Sequence, residues 1–144
     1  MEIRKILPEE KSAAPDLVWR VFLKFEAPQY PAEGVRFFRE YLDNDEATSA
    51  LDIYGAFDVE RVVGVLAMRN SGTHVSLFFV DEEYHRRGIG RAMFEHMVKV
   101  SSPEFVTVNA APYAVEVYRR LGFSPVGGEV VENGLIYTSM ELRG

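Results

Sequence analysis

The chain contains no cysteine. That absence excludes disulfides, thiolate metal sites and a cysteine nucleophile. No cluster of metal-ligand residues stands out, and none is expected. No apolar run approaches the roughly 20 residues that a membrane span needs. The N-terminal stretch "MEIRKILPEEK" is charged and lacks a signal-like apolar segment, which sets a cytoplasmic expectation. Positive charge is in deficit: 16 Lys and Arg stand against 22 Asp and Glu, a net charge of −6. A broad nucleic-acid footprint needs the opposite sign, whereas an acidic surface suits cationic partners. Repeats, low-complexity tracts and linkers are also missing. The 144 residues therefore read as a single domain, residues 1–144, with room for a real core.

What is present is a hydrophobic fraction of 47%, too high for a disordered chain. "EIRKI" reads as a short strand. In "SAAPDLVWRVFLKFE", Ser12 or Ala14 is placed to cap and Pro15 suits the first turn. Leu17, Val18, Val21, Phe22 and Phe25 then recur at helical spacing. "APQYP" breaks that helix, and "AEGVRFFREYLDN" starts another with Val35, Phe38 and Leu42 on one side. The period then changes. "LDIYGAFDV" and "VVGVLAMRN" are rich in β-branched and aromatic residues, with turn signals at "ERV" and "NSGT". In "HVSLFFV" residues Leu77 to Val80 are all apolar, which predicts a central strand buried on both faces. A helix from about Gly88 carries an inner stripe of Ile89, Met93, Met97 and Val100, with Arg91, Glu95 and Lys99 outside. A strand "EFVTVNA", a helix "PYAVEVYRRLG" ending at Gly122, and a hairpin turning at "ENG" complete the order β-α-α-β-β-β-α-β-α-β-β.

The junction "DEEYHRRGIGRAMFEHM" carries the chemistry. A helix start presents free N–H groups and partial positive charge. Glycines let a ligand lie against the backbone there. Arg86, Arg87 and Arg91 add full charges, which together suit a phosphate or pyrophosphate. The nucleoside-triphosphate loop is excluded, because no Gly-Lys-Ser/Thr ending follows. The dinucleotide fingerprint is excluded too, because it needs glycine where Met93 stands. A Gly-x-Gly alone fits a purely structural turn as well.

A second stretch narrows the reading. His85-Arg86-Arg87-Gly88-Ile89-Gly90 is followed some 20 residues later by Val106–Val108, Asn109, Tyr118 and Gly122-Phe123. Together these resemble the Gcn5-related N-acetyltransferases, whose donor motif reads Gln/Arg-x-x-Gly-x-Gly/Ala. His85 departs from its first position. The resemblance spans nearly the whole chain. It implies an α/β (α+β) fold: a mixed, twisted sheet of about seven strands, helices on both faces, and central strands splayed at an acetyl-CoA site. It implies that the turn amides from Arg86 through Gly88, Ile89 and Gly90 to Arg91, with Arg87 between, hold the CoA pyrophosphate. Phe78, Phe79 and Val80 would bond the pantetheine arm and the acetyl carbonyl, Asn109 would contact the pantetheine, and Tyr118 would be the general acid.

Acetyl transfer to an amine needs a neutral amine, a donor for the oxyanion and a proton for the departing thiolate. The Phe78 N–H is the expected oxyanion donor, and a phenol of ordinary pKa near 10 suits the thiolate. His74 is the candidate base, on the expectation that it shares a strand face with Ser76 and Phe78. It would act through water, since the reaction centre lies about 13 Å along the strand. A polar residue at a strand end is the plainer reading of His74. Glu26, Glu33 and Tyr30 are candidates to line the acceptor pocket. His96, Arg119 and Arg120 read as surface residues, with one of the two arginines near the CoA. The expected function is direct acetyl transfer from acetyl-CoA to a primary amine of a small molecule or peptide, with no metal, nucleic acid or membrane partner. The alternatives are a non-catalytic acyl-CoA-binding module and a protein acetyltransferase. Aromatic residues Phe37, Tyr41 and Tyr137 motivate an expected homodimer.

Overall fold

The computed structural model describes residues 1–143. Seven strands form one open sheet in the order β1-β2-β3-β4-β5-β7-β6. They are β1 (Glu2–Lys5), β2 (Asp52–Asp58), β3 (Arg61–Arg69), β4 (His74–Val80), β5 (Phe105–Ala110), β6 (Ser124–Glu132) and β7 (Leu135–Arg143). All neighbours are antiparallel except β4 and β5. The helices are α1 (Ala13–Phe25), α2 (Ala32–Asp43), α3 (Asp45–Ser49), α4 (Ile89–Ser101) and α5 (Val115–Arg120). α3 goes beyond the sequence expectation. Its signal is Asn44, whose side chain accepts the Ala47 N–H at 3.0 Å, ahead of an acidic first turn.

The strands divide the core in two. Leu17, Val18, Val21 and Phe22 of α1 pack on Val65, Ala67, Leu77 and Phe79. Met93, Phe94 and Met97 of α4, with Tyr118 and Phe123, pack on Val63, Leu66, Met68, Val106 and Met140 of the other face. Each large apolar side chain so buried stabilises the fold by about 1.5–3 kcal/mol relative to exposure. Val100 departs from the expected inner stripe. It is 55% exposed, and Phe94 at 4% takes the inward place, because four residues beyond Met97 would be Ser101 and Val100 rotates to the flank.

β4 is the fourth of seven strands, as its apolar run predicts, but only one face is fully covered. Leu77 and Phe79 are buried, while Phe78 and Val80 are half-buried. The pairing of β3 with β4 is also interrupted. Ala67 faces Leu77 and the adjacent Met68 faces Val75, so Ser76 is an extra, bulged residue. The bulge breaks the alternation assumed for His74. His74 pairs with Arg69, on the α1 side of the sheet, whereas Phe78 packs with the α4 core. His74 and Phe78 therefore do not share a face. His96, expected at the surface, is half-buried against the edge of the Tyr54 ring, with centroids 5.8 Å apart.

The closing hairpin turns at Asn133-Gly134, with φ of 54° and 77°, the left-handed pair a two-residue turn needs. This turn packs backbone to backbone against the start of α2. A Cβ on Gly34 would collide with the Gly134 carbonyl, and one on Gly134 with the Gly34 amide. Two glycines distant in sequence thus let the hairpin close over α2.

Candidate active site

The turn after β4 is held from below. Asp81 is 2% exposed. Its Oδ2 accepts from Arg20 at 2.7 Å and Arg61 at 3.1 Å, and its Oδ1 accepts the Glu83 N–H at 3.0 Å. Lys24 pairs with Glu82, and the Tyr84 hydroxyl donates to Asp58 at 2.6 Å. Three separate segments, α1, β2 and β3, therefore fix this loop. Arg86 and Gly88 take positive φ, 63° and 76°, which turns the chain into α4. The first helical bond runs from the Ala92 N–H to Gly88, so the N–H groups of Ile89, Gly90 and Arg91 lack intrahelical partners. A Cβ on Gly90 would lie 3.4 Å from the Phe78 ring, in ordinary contact, so the helix start lies directly beside β4.

A cavity of about 550 Å³ opens above this turn. Arg86, Gly88, Gly90, Arg91 and Arg120 line it, and Phe25, stacked on Tyr113 and tilted against His85, forms an aromatic side wall with them. Free amides, a helix start and three guanidinium groups fit a diphosphate. Two predicted members stand elsewhere. The Arg87 side chain lies over the Tyr84 ring, 5.1 Å from its centre. Asn109 lines a different cavity, and its Oδ1 accepts from Ser139 at 3.0 Å. Pairing with β7 carries β5 away from the donor side at that point. Arg120, read from the sequence as surface charge, is the arginine that lines the cavity; both it and Arg119 also pair with Glu116.

β4 and β5 pair only at His74–Thr107 and Val75–Val108, then diverge. The Asp81 N–H donates to Val63 of β3 at 2.8 Å. By antiparallel alternation the Phe79 amide also faces β3, and those of Phe78 and Val80 face the open edge. The His85 ring takes up the Val80 carbonyl, Nε2 to oxygen 2.7 Å. The Phe78 N–H is thus left facing the gap.

Tyr118 is positioned by the end of α5. The Phe123 N–H donates to the Tyr118 carbonyl, and the Gly122 N–H to Arg119, both at 3.0 Å. Gly122 has φ of 106°. These are the paired bonds of a Schellman cap, and its usual apolar contact is the Tyr118–Phe123 edge contact, with centroids at 5.3 Å. The "YRRLGF" stretch is therefore a local device that locks Tyr118 beside Phe78, ring centres 5.8 Å apart. Burial, and the nearby Glu26 charge, push its phenol well above the ordinary value.

Beyond the gap lies a second cavity of about 320 Å³. The two cavities share Glu26, Phe78, Phe79, Ala114 and Tyr118. The Tyr113 N–H donates to Gln29 at 3.1 Å, tying the segment after α1 to the start of α5. Tyr30 and Glu26 line the second cavity as expected; Glu33 is exposed outside its wall. Phe37, Tyr41 and Tyr137, expected at a dimer contact, also line it, so their aromatic character has a use within one chain. Burial pushes the Glu26 carboxyl up from 4.5 to about 7, with no cation or donor of the described residues to lower it. His74 lies in the same wall. Burial, and then the Arg69 charge, lower its pKa from 6.5 to about 4, and its Nδ1 is bonded to Thr107 at 2.7 Å. A ring so weakly basic and so fixed is a poor proton acceptor. Glu26 is the carboxylate that lines both cavities. A lone carboxylate at a helix end gives no sequence signal of its raised pKa. Among the described residues no group of three or more His, Asp or Glu is arranged to hold a metal, and no helix is long and apolar enough to cross a membrane.

An open mixed sheet, two strands that part at its centre, and an anion-ready turn at the mouth of the gap are the features of an acyltransferase class of fold. The family description "Acetyltransferase (GNAT) domain" matches residues 26–143, and the chain belongs to that family. A curated relative, the uncharacterized N-acetyltransferase YafP of Escherichia coli K12, is 34% identical over 71 residues, 49% of this chain and 46% of the relative. The matched stretch is thus about half the length of that relative. A solved GCN5-related N-acetyltransferase from Rhodopseudomonas palustris superposes with TM-score 0.83 at 20% identity, covering 99% of this chain and 94% of its own. The PaiA N-acetyltransferase from Thermoplasma acidophilum, solved with coenzyme A, gives TM-score 0.78 at 16% identity, covering 99% and 98%.

Proposed function

We propose that this one domain transfers the acetyl group of acetyl-CoA directly to the primary amine of a small molecule. The observation that carries the reading is the meeting of two cavities at Phe78 and Tyr118, in the gap between β4 and β5. Acetyl-CoA supplies an activated acyl carbon and a thiol leaving group. The free amides of residues 89–91, with Arg86, Arg91 and Arg120, bind the diphosphate. The open edge of β4 aligns the arm, and the Phe78 N–H stabilises the carbonyl oxygen as it gains charge. Tyr118 gives its proton to the departing sulfur; burial and the Glu26 charge hold its phenol above the value that matches a thiolate, and the match improves as Glu26 takes up the amine proton and loses its charge.

The closure of the hairpin over α2 supports a small acceptor rather than a protein surface, which needs an open groove. Shared placement of Tyr118 and Glu26 between donor and acceptor cavities favours turnover over mere acyl-CoA binding. A screen of primary amines with acetyl-CoA, read by thiol release, tests the proposal. Saturable release with at least one small amine is expected. Tight acetyl-CoA binding without release on any amine or peptide would leave a binding module instead, and release only with peptide lysines would make it a protein acetyltransferase.

A further inference from the structure

We propose that the second cavity selects a compact primary amine carried on an aromatic body, with its ammonium docked on Glu26. The proposal rests on the acetyl-transfer reading and names its acceptor.

The walls decide the class. Rings from Phe22, Tyr30, Phe37, Phe38, Tyr41 and Tyr137 line the chamber. Phe38 is stacked on the fully buried Phe22, 12° from parallel with centres at 4.0 Å, which holds its ring rigid at the wall. Flat rings favour stacked aromatic groups and attract cations over their faces. Glu26 stands where the chamber meets the donor cavity, unpaired and desolvated. Ser76 Oγ in the same wall is buried with no hydrogen-bond partner, a further polar point for an amine or its water.

Charge argues against polycations. The other carboxylate of the lining is Glu132, an exposed residue, and Arg69 adds a positive charge near His74. A polyamine would bury its further ammonium groups against rings and near a guanidinium without enough anions to pair them. The volume, about 320 Å³, is at the small end for ligand sites and fits a single ring with a short arm.

The chemistry balances with these groups. The docked ammonium gives one proton to Glu26, and the neutral nitrogen forms the new C–N bond. The C–S bond breaks as Tyr118 protonates sulfur. The amide nitrogen returns its second proton to the Tyr118 phenolate, and Glu26 releases its proton to solvent. Tyr30, Tyr113 and Tyr118 are the titratable groups that feel Glu26; His74 and Arg69 lie along β4 and β3 on the chamber side, and His85 on the donor side.

The test compares 2-phenylethylamine with spermidine and glucosamine. The kcat/KM for 2-phenylethylamine should be at least about tenfold higher. Calorimetry with CoA present should show 2-phenylethylammonium binding, weakened about tenfold or more by Glu26→Gln while acetyl-CoA affinity is kept. The acid limb of kcat/KM near pH 7 should vanish in that variant. A tenfold preference for spermidine or glucosamine overturns this inference and leaves the acetyltransferase reading intact. Absence of thiol release on every amine, with acetyl-CoA bound, overturns both. Should Glu26→Gln not fold, Phe37→Ala at the chamber wall decides: it should weaken 2-phenylethylammonium more than ethylammonium, and equal weakening would sink the proposal.

Discussion

The two cavities are built by different means. The donor side is made of backbone: left-handed Arg86 and Gly88, the free amides of α4, the unpaired edge of β4. The acceptor side is made of side chains from α1, α2, β4 and the closing hairpin. A backbone site needs particular residues at fixed spacing, so it leaves a motif. A side-chain chamber needs only shape and polarity, which many residues supply. The donor side can therefore stay constant while the acceptor side is remade, and five residues line both cavities at their junction.

Exchanging the Tyr118 hydroxyl for hydrogen breaks the junction and should have the largest effect. Tyr118→Phe keeps the ring against Phe78 and Phe123. The expected loss is about 10²–10⁴-fold in kcat, with acetyl-CoA affinity and Tm nearly unchanged. The loss should shrink with a donor whose thiol is more acidic. Full turnover by Tyr118→Phe would reduce this residue to core packing.

Gly34→Ala breaks the acceptor side alone. Its Cβ meets the hairpin turn, so chemical denaturation should show destabilisation of up to about 3 kcal/mol. The amine KM should rise while acetyl-CoA affinity holds. Asp81→Asn loosens the donor side alone. It removes the shared partner of Arg20 and Arg61, and a loss of about 1–3 kcal/mol is expected by the same measurement. Acetyl-CoA affinity should fall several-fold with it, and an unchanged affinity would show that the loop does not depend on this anchor.

The smallest effect concerns stability and pH. Glu26 binds its proton more tightly in the fold, at about 7, than in the unfolded chain. Its contribution is present below about pH 4.5 and fades as pH rises through 7. Glu26→Gln should therefore gain about 1–2 kcal/mol on the wild type at pH 8, with no comparable gain at pH 4. Parallel melting curves at the two pH values would expose an ordinary solvated carboxylate.

The same contrast explains what the sequence reveals. Order and type of the main elements follow from local period, and the α5 end from Tyr118 to Phe123 is a short-range cap, so both are legible. So is the Gly88–Gly90 turn. The Ser76 bulge is not, because pairing with β3 makes it, and alternation then misplaces His74. Asp81 looks like an ordinary loop acid until Arg20 and Arg61 arrive from distant segments. Glu26 is legible as a candidate lining residue, but not its raised pKa, because its desolvation comes from elements elsewhere in the chain. Asn109 follows the family pattern in position, yet its side chain answers to Ser139 across the sheet.

The donor side is the central claim, and a calorimetric titration of acetyl-CoA into the wild type and Gly88→Glu tests it most directly. Gly88 has φ of 76° and open space around it, so the glutamate would put strain and negative charge at the diphosphate site without striking a neighbour. Saturable one-to-one binding by the wild type, falling at least about a hundredfold in a folded Gly88→Glu protein, is predicted. Equal binding by both folded proteins, or none by the wild type, would contradict it.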